Sequence, residues 1–431
     1  MTLLSPIPSI RLKNGLEIKL KEIHTAPLVS SWTWYRVGSR DEIPGITGIS
    51  HWVEHMQFKG TEKFPAEERE KTIARAGGAW NAFTYLDWTT YFETMPADKI
   101  DQALEIEADR MVNSRYDAEE VESERTVIMS ERQGRENQPS FWLTEAIHKA
   151  AFQIHTYSHM IIGDMVDLGT MQRDDLYRHY KTFYSPNNAV LSIAGDFESE
   201  RMLQRLKDLY EHLPEGAAPA RLNRPEPAQR GEHQLTIEGP GDTVLTDVAY
   251  HAPPASHEDF FPLLILDSIL SGPQGLNMFG GGGISNKTSR LYTRMVEEQD
   301  VAVSVSGGLP ATIDPYLYMI HLIVHPASTA MGALQILDGE IQRIQDSPPV
   351  LSELERATRQ TRALFAYGGE SITNQAFWMG FSEMFASYDW VTGYLENLEA
   401  VTPEDVQRVA QEYLQPKNRL VGTYQPHNKV K

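Results

Sequence analysis

The strongest constraint on the fold is an internal echo. Asp175, Arg178, Pro186 and Asn188 recur as Asp405, Arg408, Pro416 and Asn418, each pair 230 residues apart (405 − 175 = 230). The context repeats with them: a helical stretch, an aromatic residue (Phe183, Tyr413), a Pro/Asn turn, then an apolar strand (AVLSIAG from 189, RLVGTY from 419). Four matches at one offset point to a duplicated domain, because a repeated unit keeps its turn and capping residues in register. Strands mixed with helices in this order predict an α+β fold of two homologous domains, each a mostly antiparallel sheet with helices packed on one face. Around 213–233 the periodic pattern gives way to Pro, Ala and charge, which marks a linker. The expected domains are therefore 1–212 and 234–431.

Local patterns fill in the first copy. Asn14-Gly15 is a hairpin dipeptide between two short strands within 9–22. Residues 27–37 and the Thr- and aromatic-rich stretch 81–92 read as strands. A helix is expected from just after Gly48 to about Phe58, closed by Gly60, and two more over 100–114 and 117–136.

Composition removes several classes of function. There are no cysteines, which excludes disulfides, thiolate metal sites and cysteine nucleophiles. A formal net charge of -20 argues against nucleic-acid binding, which needs clustered Lys and Arg. No run is long and apolar enough for a membrane span. The start, MTLLSPIPSI, has no basic segment and is interrupted by Pro6 and Pro8, unlike a secretory signal. The expectation is a cytoplasmic protein, with earlier removal of a leader left open. Gly281 to Thr288 imitates a phosphate-binding loop but has Asn286 where the second glycine belongs, so no nucleotide is expected.

The chemistry is concentrated in His51-Trp52-Val53-Glu54-His55. On a helix, residues i and i+4 stack one turn apart, so His51 and His55 can share one small cation. Glu54 lies on the same side, within reach of a water on that cation. A hydrolytic zinc site needs three protein ligands and an open position, and without Cys the third must be a carboxylate or another His. Glu124 and Glu131 lie seven residues apart on one face of the expected helix 117–136 (131 − 124 = 7), and either can complete the site.

At this point the residues resemble a known family. H-x-x-E-H marks the inverzincins, and the chain is similar to the pitrilysin (insulysin) zinc metallopeptidases, in particular the short two-domain processing-peptidase-like members. The resemblance runs through HWVEHMQFKGT (51–61), GGAWNAFTYLDWTTYF (77–92), SERTVIMSE (123–131) and the long stretch 155–196. It implies that His51, His55 and Glu131 bind one Zn2+ per chain, that Glu124 orients His55, and that Glu54 is the general base. It also implies that Asn81, Ala82 and Phe83 belong to a strand that pairs with an extended peptide substrate. The metal-binding domain would be the first, with a glycine-rich loop at 277–292 near the substrate.

Two departures matter. The second copy has Leu263, Leu266 and Asp267 where the first has His51, Glu54 and His55, so it cannot repeat the metal site. Active members of the family also carry an Arg and, seven residues later, a Tyr; Val296 and Val303 stand at those positions here, with Arg294 two residues out of register. The expectation is a zinc metallopeptidase subunit completed, in a heterodimer, by a homologous partner supplying the Arg/Tyr pair. The alternative is a non-catalytic structural or assembly subunit of the same family.

Overall fold

The computed structural model describes residues 6–276 and 284–427, so part of the glycine-rich stretch, 277–283, lies outside the described residues. The first sheet is built from β1 (Ile10–Arg11), β2 (Glu17–Glu22), β3 (Leu28–Tyr35), β4 (Ala79–Thr84), β5 (Thr89–Pro96) and β6 (Ala189–Gly195), in the order β1-β2-β6-β3-β5-β4. The second comprises β7 (His233–Gly239), β8 (Leu245–Ala252), β9 (Ala302–Gly308), β10 (Tyr316–Val324) and β11 (Arg419–Pro426), in the order β7-β11-β8-β10-β9. Apart from β1, the two orders superimpose. Each sheet has a single parallel pair, β2 with β6 and β7 with β11, among antiparallel neighbours.

The repeated residues do the same work in both copies. Asp175 and Asp405 accept from the backbone N–H of Gln172 (2.9 Å) and Thr402 (3.1 Å), capping the helices Arg173–Phe183 and Pro403–Tyr413. Pro186 and Pro416 open the short turns Pro186–Asn188 and Pro416–Asn418. Asn188 Nδ2 then donates to Phe183 O (2.8 Å) and Arg36 O (3.3 Å), and Asn418 Nδ2 to Tyr413 O (2.8 Å) and His251 O (2.9 Å). Each Asn thus ties the end of its helix to the end of a central strand.

One strand assignment is corrected. Residues 81–92 form a hairpin, β4 and β5, turned between Tyr85 N and Trp88 O at 2.8 Å.

The chain packs as two compact units that are discontinuous in sequence. One combines the residues up to Gln133 with His159–Arg224 and Gly369–Thr392; the other combines Gly134–Ser158, Pro225–Gly368 and the residues from Gly393 on. In sequence, the stretch 214–232, which has neither helix nor strand, separates the two sheets, but each sheet takes one helix from the other side of that stretch. In the first unit, Val29, Tyr35, Tyr91 and Ile193 share a core with Ile49, Trp52, Val53, Met56, Leu104 and Leu206. The opposite face carries Trp32, Trp34 and Phe92, and there the helix Ile372–Phe385 lies down. That helix is apolar nearly all round and must be covered on every side. Gly380 lets it approach, since a Cβ there would sit 2.0 Å from Trp34 Nε1. In the second unit the helix Pro139–Ala151 packs in the same way on β11, β7 and β8, with Gly422 giving room to Leu143 and Ile147. No helix of the described residues is long and apolar enough to cross a membrane.

The helix Phe260–Leu270 has no metal-binding pair at the positions that match His51, Glu54 and His55. Leu263 and Leu266 are core residues, and Asp267 is fully buried, accepting from Tyr318 Oη (3.0 Å) and Ser271 Oγ. Burial pushes its carboxyl up to about 7, against roughly 3.9 for an unperturbed Asp. A carboxyl raised on folding contributes stability that is fully present below the unfolded value and is lost as the pH rises through the folded one. Wild-type protein should therefore lose stability of this unit between about pH 4 and pH 7, and Asp267→Asn should flatten that loss. Urea midpoints across this window test it; the same pH slope in both proteins would contradict it.

Candidate metal centre

The helix Ile49–Met56 carries three of the site's groups and is held at both ends. At its start Gly48 has φ 85°, and a Cβ would meet Ile162 O at 2.6 Å, so the position needs glycine. The fully buried Glu42 accepts from Gly48 N (2.7 Å) and Ser50 N (2.9 Å) and faces His159 Nε2 (2.8 Å). A carboxylate is favoured there by the positive end of the helix dipole. At the other end Arg69 donates to Gln57 O (3.3 Å). Trp52, Val53 and Met56 are buried in the core, which leaves His51 and His55 on the more open side.

The second contributor is the helix Ala118–Glu136. Arg125 donates to Leu168 O and Met171 O, stacks over Trp52, and Arg132 donates to Gly163 O. So fixed, the helix brings Glu131 Oε2 to 3.8 Å from both His51 Nε2 and His55 Nε2. The three ligand atoms lie within 4.8 Å of one another, and theirs is the group of three or more such side chains found among the described residues. Ligands about 2.1 Å from a tetrahedral cation stand roughly 3.4 Å apart. The two separations of 3.8 Å from Glu131 Oε2 lie close to that spacing. The donor set of two imidazoles and one carboxylate suits zinc.

Glu124 lies on the other side of His55. Its Oε1 lies 2.7 Å from His55 Nδ1, and Lys59 Nζ reaches its Oε2 at 2.5 Å. When His55 donates from Nδ1, its Nε2 lone pair is left for a cation. Burial raises the Glu124 carboxyl, but the hydrogen bonds from His55 and Lys59 outweigh it and hold the group below the usual range. Burial likewise opposes charge on His55, yet the hydrogen bond to Glu124 and the Glu54 and Glu131 charges lift it above its ordinary value. The cluster therefore attracts positive charge, and a cation binding there displaces a proton.

Glu54 is 8% exposed. Burial pushes its carboxyl up to about 7, against the opposing pull of a hydrogen bond from Thr84 Oγ1 to Oε2 at 2.7 Å. A carboxyl near 7 suits a group that must take up and release a proton at neutral pH.

Thr84 ends β4, which is the last strand of its sheet, so its outer backbone edge faces no other strand among the described residues. Alternation puts Trp80, Ala82 and Thr84 on the face of the metal-motif helix and Asn81 and Phe83 on the other. Ala82 is buried against that helix's side of the sheet, and Trp80 packs on Phe58 with ring centroids 4.8 Å apart. Asn81 Oδ1 accepts from Ala82 N (2.9 Å), and Phe83 stacks on Phe92 across the far face. Of the three strand residues named from sequence, only Ala82 thus has its side chain on the site's face. Sequence reasoning passed over Thr84; its even register with Trp80 and Ala82 is the signal that finds it. In the second unit Val303 is 52% exposed on the edge strand β9, and Val296 lies in the π-helical segment Tyr292–Glu298. Arg294 is engaged by Glu298 and lies 3.8 Å from Glu340.

Comparison with known proteins agrees with this architecture. Residues 18–165 match Insulinase (Peptidase family M16), and residues 170–361 match the Peptidase M16 inactive domain. The chain is 25% identical over 405 residues to an uncharacterized zinc protease, YmxG, of Bacillus subtilis, covering 93% of this chain and 94% of that one. It is 26% identical over 429 residues to the mitochondrial-processing peptidase subunit beta of Lentinula edodes, covering 98% and 91%. The crystal structure of a protease from Helicobacter pylori aligns with a TM-score of 0.90 at 25% identity, over 98% of this chain and 99% of that one. With both of its halves matched in order, the chain belongs to the insulinase family of peptidases, M16.

Proposed function

We propose that the chain is a zinc metallopeptidase subunit that hydrolyses peptide bonds in unfolded or short peptides. The observation that carries the reading is the convergence of His51 Nε2, His55 Nε2 and Glu131 Oε2 beside a buried Glu54. Zinc held by these three residues would polarise a peptide carbonyl and lower the pKa of a coordinated water to about 7. Glu54 then accepts the water proton and passes it to the leaving nitrogen. Glu124 keeps His55 in the tautomer that presents Nε2. The outer edge of β4 offers backbone groups to an extended peptide, a mode of binding that asks little of its sequence.

The second unit supports a shared site. Neither Val296 nor Val303 has a side chain that can donate a hydrogen bond to a developing oxyanion. A homologous partner carrying an Arg/Tyr pair would supply what these positions lack, and one relative is by name a subunit. The same two valines favour a second reading, a non-catalytic subunit that retains its metal.

Two variants separate the possibilities. Glu54→Gln should retain zinc while peptide hydrolysis falls by about 10²–10⁴. Hydrolysis of a quenched fluorescent peptide, measured beside metal content, checks this; an equally active variant would remove Glu54 from the mechanism. Glu124→Gln should weaken zinc binding roughly 10–100-fold in chelator competition. Unchanged affinity would show that Glu124 does not support His55.

A further inference from the structure

We infer that Thr84 is a positioning residue that fixes the orientation of the Glu54 carboxylate and links it to the edge strand β4, an inference that rests on the reading of Glu54 as the general base. The hydroxyl of Thr84 has one hydrogen to give. Its two neighbours are Glu54 Oε2 at 2.7 Å and Thr89 Oγ1 at 3.4 Å. Thr89 Oγ1 donates its own hydrogen to Val37 O at 2.9 Å, so it can act towards Thr84 only as a distant acceptor. The Thr84 hydrogen therefore goes to Glu54.

The consequence is geometric. A Glu side chain has three torsions, and a carboxylate can turn about the last of them with little resistance. One oxygen of Glu54 is tied to β4, which leaves the other oriented by difference. Beside Glu54 stand His51 and His55 on the same short helix and Glu131 across from them. A buried carboxylate beside these three side chains would turn towards a cation held by them and become a further ligand unless something holds it back. Thr84 does so, and it lies at the end of the edge strand that the proposed function gives to the peptide. Movement of β4 on peptide binding would thus be felt at Glu54 through a single hydrogen bond.

The test uses the full chain loaded with cobalt(II), whose visible spectrum reports the ligands around it, together with turnover of a fluorescent peptide by the zinc-loaded chain. Thr84→Val keeps the shape and the strand preference but removes the donor. It should lower kcat about 10–100-fold with KM little changed, the effect of losing a hydrogen bond to a charged group. It should also alter the cobalt spectrum as the released carboxylate reaches the metal. Thr84→Ser should restore both. The double variant Glu54→Gln/Thr84→Val should give the spectrum of Glu54→Gln alone, because no carboxylate remains to move. A Thr84→Val protein with wild-type spectrum, or a Thr84→Ser protein that behaves like Thr84→Val, overturns the inference. Full hydrolysis by Glu54→Gln would instead overturn the assignment of the base, and the spectra would still decide whether Thr84 holds the side chain.

Discussion

Everything at the centre depends on holding a very short helix still. Ile49–Met56 has eight residues, and a helix of two turns is unstable by itself in water. Its stability is borrowed from Glu42 at the N-terminus, Arg69 at the C-terminal turn and the buried ring of Trp52. Glu42 is costly to bury unless fully bonded, and the amides of Gly48 and Ser50 with His159 meet that condition. Losing this anchor would disturb His51, Glu54 and His55 together, since all three share one backbone.

The second constraint is charge. Glu54, Glu124 and Glu131 gather around two imidazoles, and like charges in a partly dry site repel. The structure divides the burden. Lys59 and His55 neutralise Glu124, solvent screens the more exposed Glu131, and Glu54 is left as the desolvated member. Three carboxylates of one residue type therefore have three distinct characters set by their surroundings. The arrangement leaves a deficit of positive charge between His51, His55 and Glu131, where a divalent cation fits.

Much of the fold was legible in the sequence because the signals were local. Asn188 and Asn418 recur because each satisfies two backbone carbonyls a few residues away or on the adjoining strand, and a short motif suffices for that. The metal motif was legible for the same reason, being five consecutive residues. Helix geometry left Glu124 and Glu131 open, since both lie on one face; the resemblance implied Glu131, and the structure puts Glu131 Oε2 at 3.8 Å from both imidazoles and Glu124 against His55 Nδ1. The hairpin between β4 and β5 was missed because its turn at 85–88 has neither Gly nor Pro to mark it. The packing of Ile372–Phe385 on the first sheet is a long-range fact: an apolar helix announces that it will be buried, not against which sheet. Phe83 shows the limit of naming a strand without its register, since a shift of one residue reverses every face.

The most direct test of this account is an anomalous-scattering map at the zinc absorption edge from crystals of the zinc-loaded protein. The account predicts one strong peak per chain, bounded by His51 Nε2, His55 Nε2 and a Glu131 oxygen, with Glu124 touching His55 rather than the metal. A peak ligated by Glu124 in place of Glu131, or no peak between the two histidines, would contradict it.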